Sequence, residues 1–238
     1  MGTIINVAAI IMAGIFGRVF GRFLPERMQD TLTKTCGVSV LFIGIAGALE
    51  GMLTVLDNQV VSQKGLMVVL CLAGGALLGE ILNLEDAFEN FGEWLKEKTG
   101  NSKEKRFVEG FVTASLTVCI GAMAIVGAIE DGIFGDFSIL ATKAVLDFII
   151  ILVMTGSMGK GCVFSAIPVG ILQGSVTMLA KFIKPIMTEP ALSNLSMIGS
   201  ILIFCVGLNL VWGKKIRVAN LLPAIVLAVA VAFLPFDL

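Results

Sequence analysis

Histidine and tyrosine are absent from all 238 residues. The missing histidine removes His-based triads, imidazole general bases and His-ligated zinc from the chemistry open to this chain. Cysteine is sparse and scattered. Cys36, Cys71, Cys119, Cys162 and Cys205 fall in or beside five different apolar stretches with no CxxC spacing, so they read as small buried packing residues and not as a redox or metal site. No GxxxxGK[ST] string occurs and no polar region is large enough for a soluble domain, so nothing supplies nucleotide-driven work. An excess of one charge is missing too. The 17 Lys+Arg against 18 Asp+Glu leave a net charge of −1, without the basic footprint that a nucleic-acid partner requires. The first basic residue is Arg18, so the N-terminal run lacks the positive region of a cleavable signal peptide and reads as a retained span.

What fills the chain instead is apolar sequence. Hydrophobic residues make up 57% and the mean hydropathy is +0.97, too apolar for a soluble domain of this length to cover its surface. Eight stretches approach the ~20 residues that a helix needs to cross hydrocarbon: 3–23, 35–56, 65–82, 107–129, 137–158, 162–180, 195–213 and 218–236. The spacing predicts an all-α polytopic helical bundle of seven to eight transmembrane helices, with residues 1–238 forming a single integral membrane domain. When the stretches alternate, thirteen of the 17 Lys and Arg fall on one side, leaving only Lys64, Lys143, Lys181 and Lys184 on the other or within a stretch. Basic loops stay in the cytoplasm, so the expectation is a multi-pass protein of the bacterial inner membrane with both termini outside. A re-entrant segment around 156–170 would leave seven full spans and move Lys181 and Lys184 inward.

Residues 83–106 form the one sizeable polar segment, in which Leu84, Phe88, Phe91 and Leu95 share a helical face opposite charged residues. That pattern reads as an amphipathic helix at the cytoplasmic interface. GALEG at 47–51 and GAIEDG at 127–132 end two spans of the same direction, which predicts a parallel two-helix internal repeat. Small residues four apart line several helix faces: Ala13, Gly17 and Gly21; Gly47 and Gly51; Gly75 and Gly79; Gly170 and Gly174. In lipid such faces let backbones approach closely, within one chain or between copies in a homo-oligomer.

The opening MGTIINVAAIIMAG, the GAIEDG string, GSMGKGCVFSAIPVGILQG at 156–174 and RVANLLPA at 217–224 together make the chain resemble the YqgA/YdfK-type bacterial integral membrane proteins, which share a domain of unknown function. The resemblance covers nearly the whole chain. It implies a compact polytopic fold and a transport role, and it carries over no catalytic residues and no cofactor.

Functional candidates are the residues that break the apolar pattern. Gly156, Ser157, Gly159, Lys160 and Gly161 interrupt one run and Pro168 the next, followed by Gln173. Irregular backbone at membrane depth persists only against protein or a water-filled cavity. Lys160 with free N–H groups favours an anion there, and freed carbonyls near Ser165 and Pro168 favour a cation. A tight turn and an ordinary proline kink are the bland alternative. Asp147 lies near mid-membrane, where a carboxylate is costly unless paired, hydrated or protonated, and Lys143 stands four residues earlier on the same face. The pair reads either as a structural salt bridge or as an ion- or proton-binding group in a polar passage. Asn209 adds a neutral oxygen near the inner end of its span. Glu50, Glu130 and Asp131, with Asp57 and Asp136, mark an outer vestibule that would concentrate cations. The resulting expectation is a channel or secondary transporter, not an enzyme, with the lipid bilayer and a small ion or polar solute as partners. A non-transporting scaffold or sensor that uses 83–106, or a lipid-modifying enzyme built on Ser157 and Lys160, is the alternative.

Overall fold

Hydrocarbon offers a peptide group no hydrogen-bond partner, so a spanning segment must satisfy its own backbone, and apolar runs become helices. In the computed structural model, which describes residues 1–21, 23–56 and 59–233, helices dominate the chain. Arg22, Asp57 and the end of the eighth predicted stretch lie outside the described residues. The order is α1 (Gly2–Gly21), α2 (Glu26–Met52), a hairpin of β1 (Leu53–Leu56) and β2 (Gln59–Ser62), α3 (Gly65–Leu82), α4 (Leu84–Lys98), α5 (Phe107–Cys119), α6 (Ala122–Phe134), α7 (Ser138–Met158), α8 (Ala166–Met178), α9 (Ala180–Ile183), α10 (Glu189–Trp212) and α11 (Pro223–Val231). Short 3₁₀ turns, Lys160–Ser165 and Val218–Leu221, lead into α8 and α11.

Among the described residues six helices are long and apolar enough to cross a membrane, counting Lys160–Met178 as one, and the pair α5–α6, bent by 61°, makes a seventh. The predicted eighth span survives as the shorter apolar helix Val218–Val231. The boundaries differ where local chemistry intervenes. The second stretch ends at Met52 because Thr54, Val55, Val60 and Val61 pair as an antiparallel ladder, the geometry that β-branched residues favour. Its helix starts nine residues before the predicted 35, at Glu26, directly after Pro25 in the N-cap position. Residues 107–129 are not one straight helix: the run breaks at Ile120 and Gly121, the latter with φ 147°.

The small-residue faces determine how the helices stack. A Cβ on Gly17 would lie 2.5 Å from Leu152 O and one on Gly21 2.6 Å from Gly156 O, while Gly2 abuts Leu140, so α1 and α7 run side by side in the same direction. Gly37 meets Leu210 and Gly51 meets Met197, which makes α2 and α10 antiparallel. Gly75 abuts Ala224 and Gly79 abuts Asn220, so α3 and α11 are antiparallel as well. These contacts put the chain through four out-and-back excursions, α1/α2, α3/α5–α6, α7/α8 and α10/α11, all starting from the same end. Both glutamates of the GALEG and GAIEDG strings stand near the end of a returning helix, α2 and α6. Most of the basic residues collect at the far end of the excursions, here the basic end. Lipid is met by side chains such as Ile15, Phe16, Phe42, Ile81 and Ile149, all well exposed.

The amphipathic segment is α4, lying at the basic end. Asn83 takes φ 52° at the corner between α3 and α4, a conformation that asparagine tolerates better than most residues. Leu95 and Gly92 turn toward α5, Phe91 stacks on Trp94 and packs edge-on against Phe111, and Phe91 and Trp94 stay partly exposed at the interface. Its first turn is locked reciprocally to the RVANLLPA segment. Glu85 N–H donates to Asn220 Oδ1 at 2.7 Å, and Ala219 N–H donates to Glu85 Oε2 at 2.9 Å.

Gly79 tests this packing, because its hypothetical Cβ falls 1.8 Å from Asn220 O, a backbone atom that cannot rotate away. Gly79→Ala is expected to destabilise by about 1–3 kcal/mol or more, the range for overpacking. Gly174→Ala, with nothing within 4 Å of the new methyl, is expected to be neutral. Unfolding titrations in mixed micelles compare the two, and equal stabilities would show that the α3–α11 contact yields without cost.

Candidate functional site

The break in α5–α6 leaves the C-terminus of a half-helix inside the bundle, with carbonyls that no downstream N–H can reach. Lys143 of α7 meets this need: its ammonium donates to Val118 O at 2.8 Å and to Asp147 Oδ2 at 2.5 Å. The i,i+4 spacing on one helix face makes the ion pair available from local geometry alone. Asn6 of α1 donates through Nδ2 to Asp147 Oδ2 at 2.9 Å and to Gln173 Oε1 of α8 at 3.3 Å. All four side chains are buried, Asn6 at 0%, Lys143 at 6%, Asp147 at 4% and Gln173 at 1% exposed. Asp147 lies nine residues into α7, about 14 Å by helical rise, so the cluster is well inside the membrane. Asn6 Oδ1 and Gln173 Nε2 are buried without a hydrogen-bond partner.

Electrostatically the surroundings of the Lys143 ammonium favour positive charge. The half-helix end of α5 carries the negative pole of its dipole, Asp147 adds a carboxylate, and Asn6 adds an unused carbonyl oxygen. One turn toward the end opposite the basic end, Thr3 and Thr177 hydroxyls meet at 3.4 Å between the same two helices, α1 and α8. Further out, Asp131 accepts from Gly2 N–H at 2.9 Å and from the Met1 ammonium at 2.8 Å. On the basic side a cleft of about 230 Å³ follows α5 from Val108 through Thr113 to Leu116, with Glu85, Glu89, Glu109 and Asn209 among its walls. Its inner limit, Leu116, is two residues from Val118. Lys214, itself part of the lining, bridges Glu85, at 2.9 Å, and Glu89. Burial opposes its charge, but the hydrogen bonds to Glu89 and Glu85 outweigh that and hold the ammonium above the ordinary lysine value.

The predicted candidates therefore separate. Asp147, Lys143 and Gln173 converge, joined by Asn6 and the Val118 carbonyl, which the sequence reading did not single out. Lys160 lies elsewhere, at the basic end, paired with Glu104 at 2.9 Å and with Asn101 Oδ1 at 3.0 Å. Ser165 donates to Cys162 O within its own 3₁₀ turn. Pro168 stands in the first turn of α8, where its missing N–H costs nothing, and not at a kink within a helix. Asn209 caps the turn after α10, accepting from Lys215 and Ile216 N–H and donating to Ile216 O. Ser157 donates to Met154 O while Lys160 faces Glu104, so the two do not form a nucleophile–base pair. Of the vestibule residues, Glu50 is exposed, Glu130 is half-buried and Asp131 is buried as the cap of α1. Asp136 caps the start of α7, where the Ser138 hydroxyl and N–H hold its carboxyl below the usual range.

The motifs of the chain have matching relatives. A family model described as a protein of unknown function (DUF554) matches residues 1–233. The chain is 29% identical over 232 residues to the uncharacterized membrane protein YdfK of Bacillus subtilis (strain 168), covering 98% of this chain and 95% of that protein. It is 30% identical over 233 residues to the uncharacterized protein YqgA of Escherichia coli (strain K12), covering 96% and 94% of the two. No solved structure matches the chain.

Breaking a buried ion pair strands the surviving charge, whereas replacing both partners with neutral groups of similar shape is tolerated. Lys143→Met is therefore expected to cost about 3–5 kcal/mol, and adding Asp147→Asn is expected to recover most of that loss. Chemical unfolding of the single and double variants checks it; additive losses would mean that the two groups do not depend on each other.

Proposed function

The chain belongs to the DUF554 family, membrane proteins of unknown function, so its activity is to be sought in the site, and we propose that it moves a small cation across the bacterial inner membrane. The observation that carries this reading is the ammonium of Lys143 seated between Asp147 and the free Val118 carbonyl of a broken helix, deep in the bundle. Half-helix ends and intramembrane carboxylates are a recurring means of replacing the hydration shell of a cation. In this reading Lys143 is a tethered cation that holds the site closed. A single carboxylate does not balance two buried positive charges, so an arriving cation requires the ammonium to swing away or to release its proton. The cleft along α5 is the approach from the basic end, and the Thr3–Thr177 and Asp131 groups mark the way toward the other. The Lys/Arg bias orients the basic end to the cytoplasm.

Uptake of Na⁺ or K⁺ into liposomes carrying the purified protein, with an internal pH dye, tests the reading. Wild-type protein is expected to move cations, and the double variant Lys143→Met with Asp147→Asn is expected to fold and to lose flux to the level of empty liposomes. Lys143→Arg separates the two ways of opening: an arginine keeps the pair but does not deprotonate in proteins, so flux should cease if proton release is the trigger and persist if swinging is. Wild-type flux from the double variant would reduce Asp147 to a packing role.

Orientation is tested separately with a cysteine at the exposed Ser102. Ser102→Cys is expected to resist an impermeant thiol reagent in intact cells and to react after permeabilisation. Labelling in intact cells would place the basic end outside.

A further inference from the structure

A second site lies at the basic end, away from the buried cluster. Between the end of α1, the start of α2, the loop before α5 and the end of α7 with the residues that follow it, a cavity of about 560 Å³ is lined by four cations, Arg18, Lys105, Arg106 and Lys160, against two carboxylates, Glu26 and Glu104. Lys160 is paired with Glu104 inside the cavity, and Arg106 with Glu109 outside its lining. Among the described residues Arg18 and Lys105 form no ion pair. Thr155, 2% exposed, lines the same cavity, and its Oγ1 has no hydrogen-bond partner. This arrangement, excess positive charge with a buried hydroxyl left unpartnered, suits a phosphate group, whose oxygens accept several charge-assisted hydrogen bonds.

A neighbouring cavity decides which phosphate. It measures about 310 Å³, shares Arg18 and Lys160 with the first, has Thr99 and Asn101 beside them at its polar end, and continues along α1 past Gly14 and Ile15 against Val163 and Phe164. Gly14 is one helical turn deeper in the membrane than Arg18, so the polar cup opens downward into an apolar groove. A free anion has no use for that groove. An amphiphile fills both, with its phosphate among the cations and an acyl chain beside Ile15. We propose that this is a binding site for an anionic phospholipid of the leaflet at the basic end, stapling α1 to α7 and to the loop before α5. It does not depend on the cation-transport reading.

The test uses full-length protein, stripped of lipid in detergent, with binding followed by native mass spectrometry and by the shift in melting temperature. Phosphatidylglycerol is expected to remain bound and to stabilise, while phosphatidylcholine and inorganic phosphate at the same concentration are not. Arg18→Gln with Lys105→Gln, both exposed positions, should leave the lipid-free melting temperature unchanged and weaken phosphatidylglycerol by about thirtyfold, the loss of two basic side chains near an anionic lipid. Ile15→Trp, which fills the groove from an exposed position, should weaken the lipid too. Equal binding of phosphatidylcholine, or phosphatidylglycerol affinity unchanged in the Arg18/Lys105 variant, would overturn the proposal. Inorganic phosphate stabilising as well as the lipid, or lipid binding unaffected by Ile15→Trp, would overturn its acyl half and leave a free-anion site.

Discussion

Lys143 holds together two features that the membrane would otherwise reject. A helix broken in mid-bilayer exposes carbonyls to an environment without donors, and a carboxylate at similar depth carries a charge without a counter-ion. The one ammonium answers both, donating to Val118 O and to Asp147. The 61° bend of α5–α6 can therefore exist where it does, and the Asp147 carboxyl is partnered by Lys143 and Asn6. Four crossings, those of α1, α5–α6, α7 and α8, meet at this contact.

Around that polar point the bundle is held by close backbone approach. Hydrophobic burial does not drive helices together in lipid, so contact depends on how near the backbones come. Gly17 and Gly21 on α7, Gly47 and Gly51 on α10, and Gly75 and Gly79 on α11 and its preceding turn each leave no room for a methyl group. At the basic end the reciprocal bonds of Glu85, Asn220 and Ala219 fasten α4 to the last segment, so the amphipathic helix is part of the frame and a wall of the cleft.

The two ends of the molecule differ in chemistry. The basic end holds a cleft bordered by carboxylates and, separately, a cationic cup that opens into an apolar groove. The other end holds short caps, with Asp131 on α1 and Asp136 on α7. Between them the buried cluster joins α1, α5, α7 and α8 through groups that are each less than a tenth exposed.

Composition and spacing determined much of this directly. Runs of about 20 apolar residues must become helices in hydrocarbon, and the i,i+4 spacing of Lys143 and Asp147 pairs them whatever the rest of the fold does. The small-residue faces were legible as contact faces for the same reason, since only Gly and Ala permit close approach. Their partners were not legible, because any small face can meet any other, and only the fold joins Gly79 to Asn220 across 141 positions. Asn6 looked like one polar residue in an apolar run, and Gly121 like one glycine among 27; that the first reaches Asp147 and the second breaks a span depends on helices far apart in sequence. Ser165, Pro168 and Asn209 were polar or irregular for local needs, two helix starts and a turn cap, whereas Lys160 pairs with Glu104 across 56 positions. Sequence shows that a group departs from the apolar pattern, whereas its partner, and so its purpose, is decided by tertiary contact.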